Sequence, residues 1–268
     1  MPNACTPEAA RLLTRARMRV SSSSTAWTAS QSTAAIAQPA TRQPATRKTG
    51  RASARTRAPP SVGSARPGTP PNPPVDHVDF EEQAPLVAGL LEDGAHLVGH
   101  SYGGVISLYA AGLRPDAVRS LTVIEPPAFR VARGVPAVDR LVDELEQLWS
   151  DRGASEPALY LSRFSSLVIG RDVSRDKSLS PELEQGVRTL MVERPPTEAD
   201  PPLDVLAAAP FPKLVVSGAH SAAFDAVCDA IAERLGAERA VFPGRAHNAH
   251  RVEGFNETLL RFLERAER

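Results

Sequence analysis

Along residues 79–268, apolar positions fall into short solid runs separated by longer stretches where they recur every three or four residues. The solid runs read as strands buried on both faces, and the periodic stretches as helices packed on a sheet. Asp79, with Glu82 three residues on, has the spacing of a capping box and predicts a helix through Leu91. Residues 95–99 (AHLVG) predict a buried strand and 103–111 (GGVISLYAA) a helix packed on it. Residues 118–124 (VRSLTVI) are the next strand, closed by Pro126 and Pro127. Two more strands follow at 213–217 (KLVVS) and 239–242, with helices at about 224–235 and 254–266. Strands alternating with helices imply βαβ units and an α/β fold with a mostly parallel sheet.

Between residues 128 and 211 that alternation stops. Residues 138–149 and 181–192 have the period of amphipathic helices, with a polar Arg/Asp/Ser stretch between them. An insertion of this length between two strands reads as a helical cap over the sheet. Ordinary surface helices are the plainer alternative.

Residues 1–74 have another texture. Ala, Arg, Ser, Thr and Pro make up 55 of them, Leu, Ile and Val total five, and Phe is absent. Such a segment buries too little apolar surface to offset chain entropy, so it is expected to be disordered and to add no strand to the sheet. Three origins fit it: a plain disordered extension, a transit-like arm that is Arg- and Ser-rich and poor in acids, or a stretch translated in a shifted frame. Residues 67–74 (PGTPPNPP) predict an extended connector into a domain at 75–268.

Charge follows the same division. Formal charge is balanced at 31 basic and 31 acidic residues, but residues 1–74 hold eleven Lys/Arg against the single acid Glu8. The remainder, with twenty basic and thirty acidic residues, is an acidic body, which argues against a nucleic-acid-binding domain. No apolar run approaches the roughly 18 residues a membrane span requires. Cys5 and Cys228 lie in different compositional regions, so a disulfide is not expected and a reducing, cytoplasmic setting is.

The chemistry concentrates at Gly99-His100-Ser101-Tyr102-Gly103, followed by Gly104, where the predicted strand turns into the predicted helix. A serine flanked two residues either way by glycine, on a strand-to-helix turn, is a nucleophile elbow. The sharp turn lifts the hydroxyl clear of the sheet, and the glycines give the neighbouring backbone room. The helix N-terminus beneath the serine favours developing negative charge.

On these residues, and on the C-terminal block from Lys213, the chain resembles the α/β-hydrolase family over about residues 79–268. The resemblance implies the order nucleophile, acid, histidine, with Ser101 as nucleophile. It places the histidine in the loop before the last helix, where Phe242-Pro243-Gly244-Arg245-Ala246-His247 stands. His247 is the match and His250 the rival; His100 is read as structural, and His77, His96 and His220 carry no motif.

For the acid, most members have an Asp a few residues past the strand equivalent to 213–217, but here Gly218-Ala219-His220-Ser221 offers none. Asp225 lies four residues further on. A minority use an acid at the end of the preceding strand, where Glu125 stands. Glu125 is the first choice and Asp225 the alternative.

One oxyanion donor is the backbone N–H of Tyr102. The second normally follows an early apolar strand ending in His-Gly, and nothing in residues 1–74 has that shape. The N-terminal part of the sheet is therefore expected to be missing, with family-like sequence starting near Arg66.

There is no zinc-type Cys/His spacing, no H-E-x-x-H, no G-x-G-x-x-G and no P-loop lysine, so neither metal nor cofactor is expected. Serine in place of Asp at the elbow disfavours the epoxide hydrolase and dehalogenase branches. The expected function is a serine hydrolase cleaving a small ester, thioester or related acyl substrate through an acyl-enzyme. The alternative is a non-catalytic scaffold of the same fold that binds a ligand or partner.

Overall fold

The computed structural model describes residues 17–19, 34–38, 67–171 and 178–268. Four parallel strands form its centre: β3 (Ala95–His100), β4 (Val118–Ile124), β5 (Lys213–Ser217) and β6 (Glu238–Val241), in that order across the sheet. β3, β4 and β5 end in step, with His100 opposite Ile124 and Ile124 opposite Val216, so the chain leaves all three at one edge. In open parallel sheets this carboxyl edge is where ligand sites form.

Alternation along the strands sorts side chains to two covered faces. Leu97, Leu121, Val123 and Val215 lie in one cluster with Val105 and Leu108 of α2 (Tyr102–Leu113) and Phe224, Val227 and Ile231 of α7 (Ala222–Leu235). Ile124, Leu214 and Val216 face the other way, against Phe255, Leu259, Phe262 and Leu263 of α8 (Phe255–Ala266). Burial on both faces explains why β4 and β5 are rich in Leu, Val and Ile, with only the small polar residues Ser120, Thr122 and Ser217 fully buried among them, and their boundaries match the expected ones.

α1 (Phe80–Gly89) begins where expected, with the Asp79 side chain accepting from the backbone N–H groups of Glu81 at 2.6 Å and Glu82 at 3.4 Å. The helix ends two residues before Leu91.

The expected insertion between β4 and β5 is helical, and richer than its sequence indicated. α3 (Pro136–Ser150) and α5 (Pro181–Met191) correspond to the two expected helices. Between them, where a polar stretch was expected, α4 (Pro157–Phe164) runs into a π-turn at Ser165–Ile169. A short α6 (Leu203–Ala208) packs against α2 and α7.

The insertion is tied to the start of α1. Val78 and Glu193 form a parallel bridge, and Arg194 reaches Asp79 at 3.1 Å and Glu198 at 2.9 Å while stacking over Phe80. The proline-rich connector forms turns rather than extended chain from residue 67 to 72. Thr189 Oγ1 and Gln185 Nε2 of α5 donate to the Gly68 carbonyl at 2.7 and 2.9 Å, which pulls the connector onto the insertion.

The N-terminal segment departs from expectation at two places. β1 (Arg17–Arg19) and β2 (Ala34–Gln38) extend the sheet antiparallel, β2 pairing with β3 from Ala34 opposite Gly99 to Ala37 opposite His96. A strand ladder is made by main-chain N–H and C=O groups, so a run such as Ala-Ala-Ile-Ala-Gln can join one without large side chains. The parallel part of the sheet still begins only at β3. The expectations for the rest of residues 1–66, including Cys5 and the origin of the segment, lie outside the described residues.

Candidate active site

Ser101 sits between β3 and α2 with φ 55° and ψ −129°. That left-handed backbone is costly for a residue with a Cβ and is held only where the surroundings impose it. Here the Ser101 N–H donates to the Ile124 carbonyl of β4 at 2.9 Å, and the Ser101 carbonyl accepts from Gly104 N at 2.7 Å. The turn is therefore clamped from the neighbouring strand and from its own helix.

Two glycines around the turn, Gly99 and Gly104, sit in close quarters. A Cβ on Gly99 would lie 2.8 Å from Gly104 Cα and collide with Ser107 Oγ and the Gly103 carbonyl; one on Gly104 would lie 3.1 Å from Pro126 Cβ. Gly99→Ala is accordingly expected to destabilise the fold by about 1–3 kcal/mol through overpacking, read as a lower urea midpoint. An unchanged midpoint would show that α2 can move away from β3.

Three more strand ends bring the other groups in. Glu125 follows β4 directly, with φ 46° and its N–H donating to the Val216 carbonyl at 2.9 Å. Its carboxylate is fully buried. Oε1 accepts from Gly218 N at 2.7 Å and faces His220 Nδ1 at 3.1 Å, while Oε2 lies 2.7 Å from His247 Nδ1. Burial pushes this carboxyl upward, but the hydrogen bonds and charge of His220 and His247 outweigh it and hold it well below the usual carboxylate range.

His247, in the loop after β6, is 2% exposed. Its Nδ1 is at ion-pair distance from Glu125, although the N–H direction is off the line of a strict hydrogen bond. Its Nε2 is buried with no hydrogen-bond partner among the described residues. His100, the residue before Ser101, places Nε2 2.8 Å from the His247 carbonyl and its ring 4.9 Å from the His247 ring. The structural role read for His100 is thus to hold the histidine loop against the elbow.

The alternatives sit elsewhere. His250 packs its ring 4.5 Å from His100, and burial lowers its pKa to about 4. Asp225 pairs with the Ser217 hydroxyl and lies 3.6 Å from Arg239, on the far side of β5's end. Tyr102 heads α2, and its hydroxyl donates to the Val78 and Arg194 carbonyls at 3.3 Å each. No second oxyanion donor is identified among the described residues.

His220 is the residue the sequence reading passed over. It lies one residue before Ser221, the position after β5 that matches the acid of most family members, and that nearness was its one visible signal. Four of the five non-glycine residues with positive φ among the described residues are Ser101, Glu125, Ala219 and Ala246. Each either belongs to this cluster or immediately precedes one of its histidines, as expected where backbone strain serves a site.

Among the described residues, two groups could offer metal ligands. Glu125, His220 and His247 have donor atoms within 4.8 Å of one another, and so do His77, Asp79 and Glu82. In the first, each carboxylate oxygen directly faces one ring nitrogen, an arrangement suited to charge-assisted hydrogen bonding. In the second, Asp79 is occupied as a helix cap. A cleft of about 570 Å³ between α3 and α4, lined by Asp143, Glu144, Gln147, Ser162 and Arg163 among others, contains none of the cluster.

The strained strand-to-helix turn at Ser101 and the buried Glu125–His247 pair both stand at the carboxyl edge of the sheet. The sequence model of the alpha/beta hydrolase family matches residues 50–257, and the chain belongs to that family. The match begins earlier than residue 79, so part of the N-terminal segment is family-like as well.

The chain is 36% identical over 80 residues to a probable lysophospholipase of Arabidopsis thaliana, BODYGUARD 1, and 34% identical to BODYGUARD 2. Each match covers 28% of this chain and only 17% of the relative's length. Solved structures share the fold. A carboxylesterase from the thaumarchaeon Nitrososphaera gargenis superposes with a TM-score of 0.52 at 15% identity, over 72% of this chain and 74% of that one. An alpha/beta hydrolase from Sphaerobacter thermophilus gives 0.51 at 20%, over 74% and 79%. Among the described residues no helix is long and apolar enough to cross a membrane.

Proposed function

We propose that the chain is a serine hydrolase of small esters, thioesters or related acyl compounds, working through Ser101, His247 and Glu125. The observation that carries this reading is the buried Glu125–His247 pair. Nδ1 of His247 lies 2.7 Å from the carboxylate and its buried Nε2 has no hydrogen-bond partner among the described residues, in a loop held against the Ser101 turn by His100.

In this mechanism Nε2 takes the Ser101 proton as Oγ attacks the acyl carbonyl. Glu125 orients the imidazole and stabilises the imidazolium. The Tyr102 N–H, at the head of α2, supports the oxyanion. The imidazolium then gives its proton to the leaving group, and water activated by His247 releases the acyl-enzyme.

The helical insertion acts as the cap that shapes the acyl site, and the two widely separated cysteines fit a reducing, cytoplasmic setting. The lysophospholipase names of the partial relatives support trying lipid esters alongside the small esters.

A fluorophosphonate probe applied to the full chain tests the reading. Covalent labelling that maps to Ser101, with turnover of a p-nitrophenyl ester series from acetate to palmitate, supports it. No labelling and no turnover would leave a ligand-binding scaffold as the better account.

A further inference from the structure

Beside the Ser101–His247–Glu125 constellation lies a buried histidine with both ring nitrogens committed to acceptors. His220 places Nδ1 3.1 Å from Glu125 Oε1 and Nε2 3.1 Å from the Val168 carbonyl, with its side chain 7% exposed. A neutral imidazole has one N–H and one lone pair, so between two acceptors it sets a lone pair against a lone pair. An imidazolium, with two N–H donors, satisfies both.

The surroundings agree with that state. Glu125 contributes a carboxylate in contact, and Asp225 on α7 adds negative charge at longer range. The His247 ring lies 5.6 Å away. Phe224 of α7, at 5.5 Å, and Gly170 of the insertion, where a Cβ would come within 3.1 Å of the His220 ring, supply uncharged walls. Burial lowers the His220 pKa, but the hydrogen bond and charge of Glu125 reverse the direction, and the net shift is upward.

We propose that His220, as an imidazolium, is a positioning residue: it holds Glu125 against His247 and fastens that carboxylate to the helical insertion at Val168. This rests on Glu125 and His247 being the acid and base of the hydrolytic reaction. His220 keeps its proton throughout the cycle, and no bond to substrate forms there. The carboxylate is gripped from three sides, by Gly218 N–H and His220 at Oε1 and by His247 at Oε2. Of the three, His220 alone also bonds the insertion.

Two variants separate the bond from the charge, assayed in the full chain with a p-nitrophenyl ester. His220→Ala frees one side of Glu125 and is expected to lower kcat by about ten- to a hundredfold, as small misplacements of catalytic groups do, with KM little changed. His220→Asn keeps an amide N–H near the position of Nδ1 and is expected to recover most of kcat. An Asn variant no better than Ala, or a loss confined to KM, would overturn the proposal and leave His220 a packing residue.

A readout independent of turnover is the NMR titration of His220 in Ser101→Ala protein. A resonance still protonated above pH 6.5 supports the proposal, and a neutral ring at pH 6 overturns it. Failure of the wild type to label or hydrolyse esters would instead sink the hydrolase reading, with the titration still deciding the state of His220.

Discussion

Ser101→Ala is expected to lower kcat for ester hydrolysis by about four to six orders of magnitude, as loss of the nucleophile does in triad hydrolases, while the folded state persists. The Ser101 side chain makes no capping hydrogen bond to α2, so removing Oγ takes away no support for the helix. Alanine bears the same cost as serine at φ 55°, and the clamps on the turn, to the Ile124 carbonyl and from Gly104 N, are main-chain bonds that the substitution leaves in place. The urea midpoint should therefore stay close to that of the wild type. Steady-state kinetics beside denaturation curves make the check. Retention of more than a tenth of the activity would remove Ser101 from the nucleophile's role.

The next largest effect is expected at Glu125. Glu125→Gln keeps the size of the side chain and lets its oxygen go on accepting from Gly218 N, but an amide NH2 group then faces His247 Nδ1. The ring is pushed to the tautomer protonated at Nε2, the atom that must take the Ser101 proton. Asn in place of the triad Asp of serine proteases lowers kcat by about 10⁴ for this reason, and a loss of that order is expected here. Asp225→Asn should cost less than about tenfold, since Asp225 is engaged by Ser217 and Arg239 and has no contact with His247. The same assay on both variants decides the matter, and a larger loss at Asp225 would reverse the assignment.

Why the sequence left Glu125 and Asp225 both open is a matter of register. Glu125 directly follows β4 and Asp225 lies eight residues past the end of β5, and which carboxylate meets the loop carrying His247 depends on how those strand ends align, with Ile124 opposite Val216. The elbow itself was legible, because its demands are local: glycines where a Cβ would collide, and a serine at the break between an apolar run and a helical period. β4 and β5 were legible because two covered faces leave them rich in Leu, Val and Ile, with small polar residues such as Ser120, Thr122 and Ser217 between. α4 was not, since it is one short helix opened by Pro157 in a polar region. β2 was not, because main-chain pairing leaves almost no mark on composition. His220 was missed for a related reason: its role depends on the Val168 carbonyl, 52 residues away in sequence, and no spacing rule reaches that far.

The left-handed turns at Ser101, Glu125, Ala219 and Ala246 bear on how such a protein would respond to selection for heat resistance alone. Each non-glycine residue held in that region costs of order 1–3 kcal/mol that the rest of the fold must offset. Glycine at 219 or 246 would relieve part of that cost, reduced by the extra freedom it gives the unfolded chain. It would also loosen the backbone that aims His220 and His247. A screen scored by survival on heating would then tend to enrich slower enzymes. Selection on turnover would keep alanine at both positions and accept a lower melting temperature, the exchange of rigidity for activity that catalytic scaffolds commonly show.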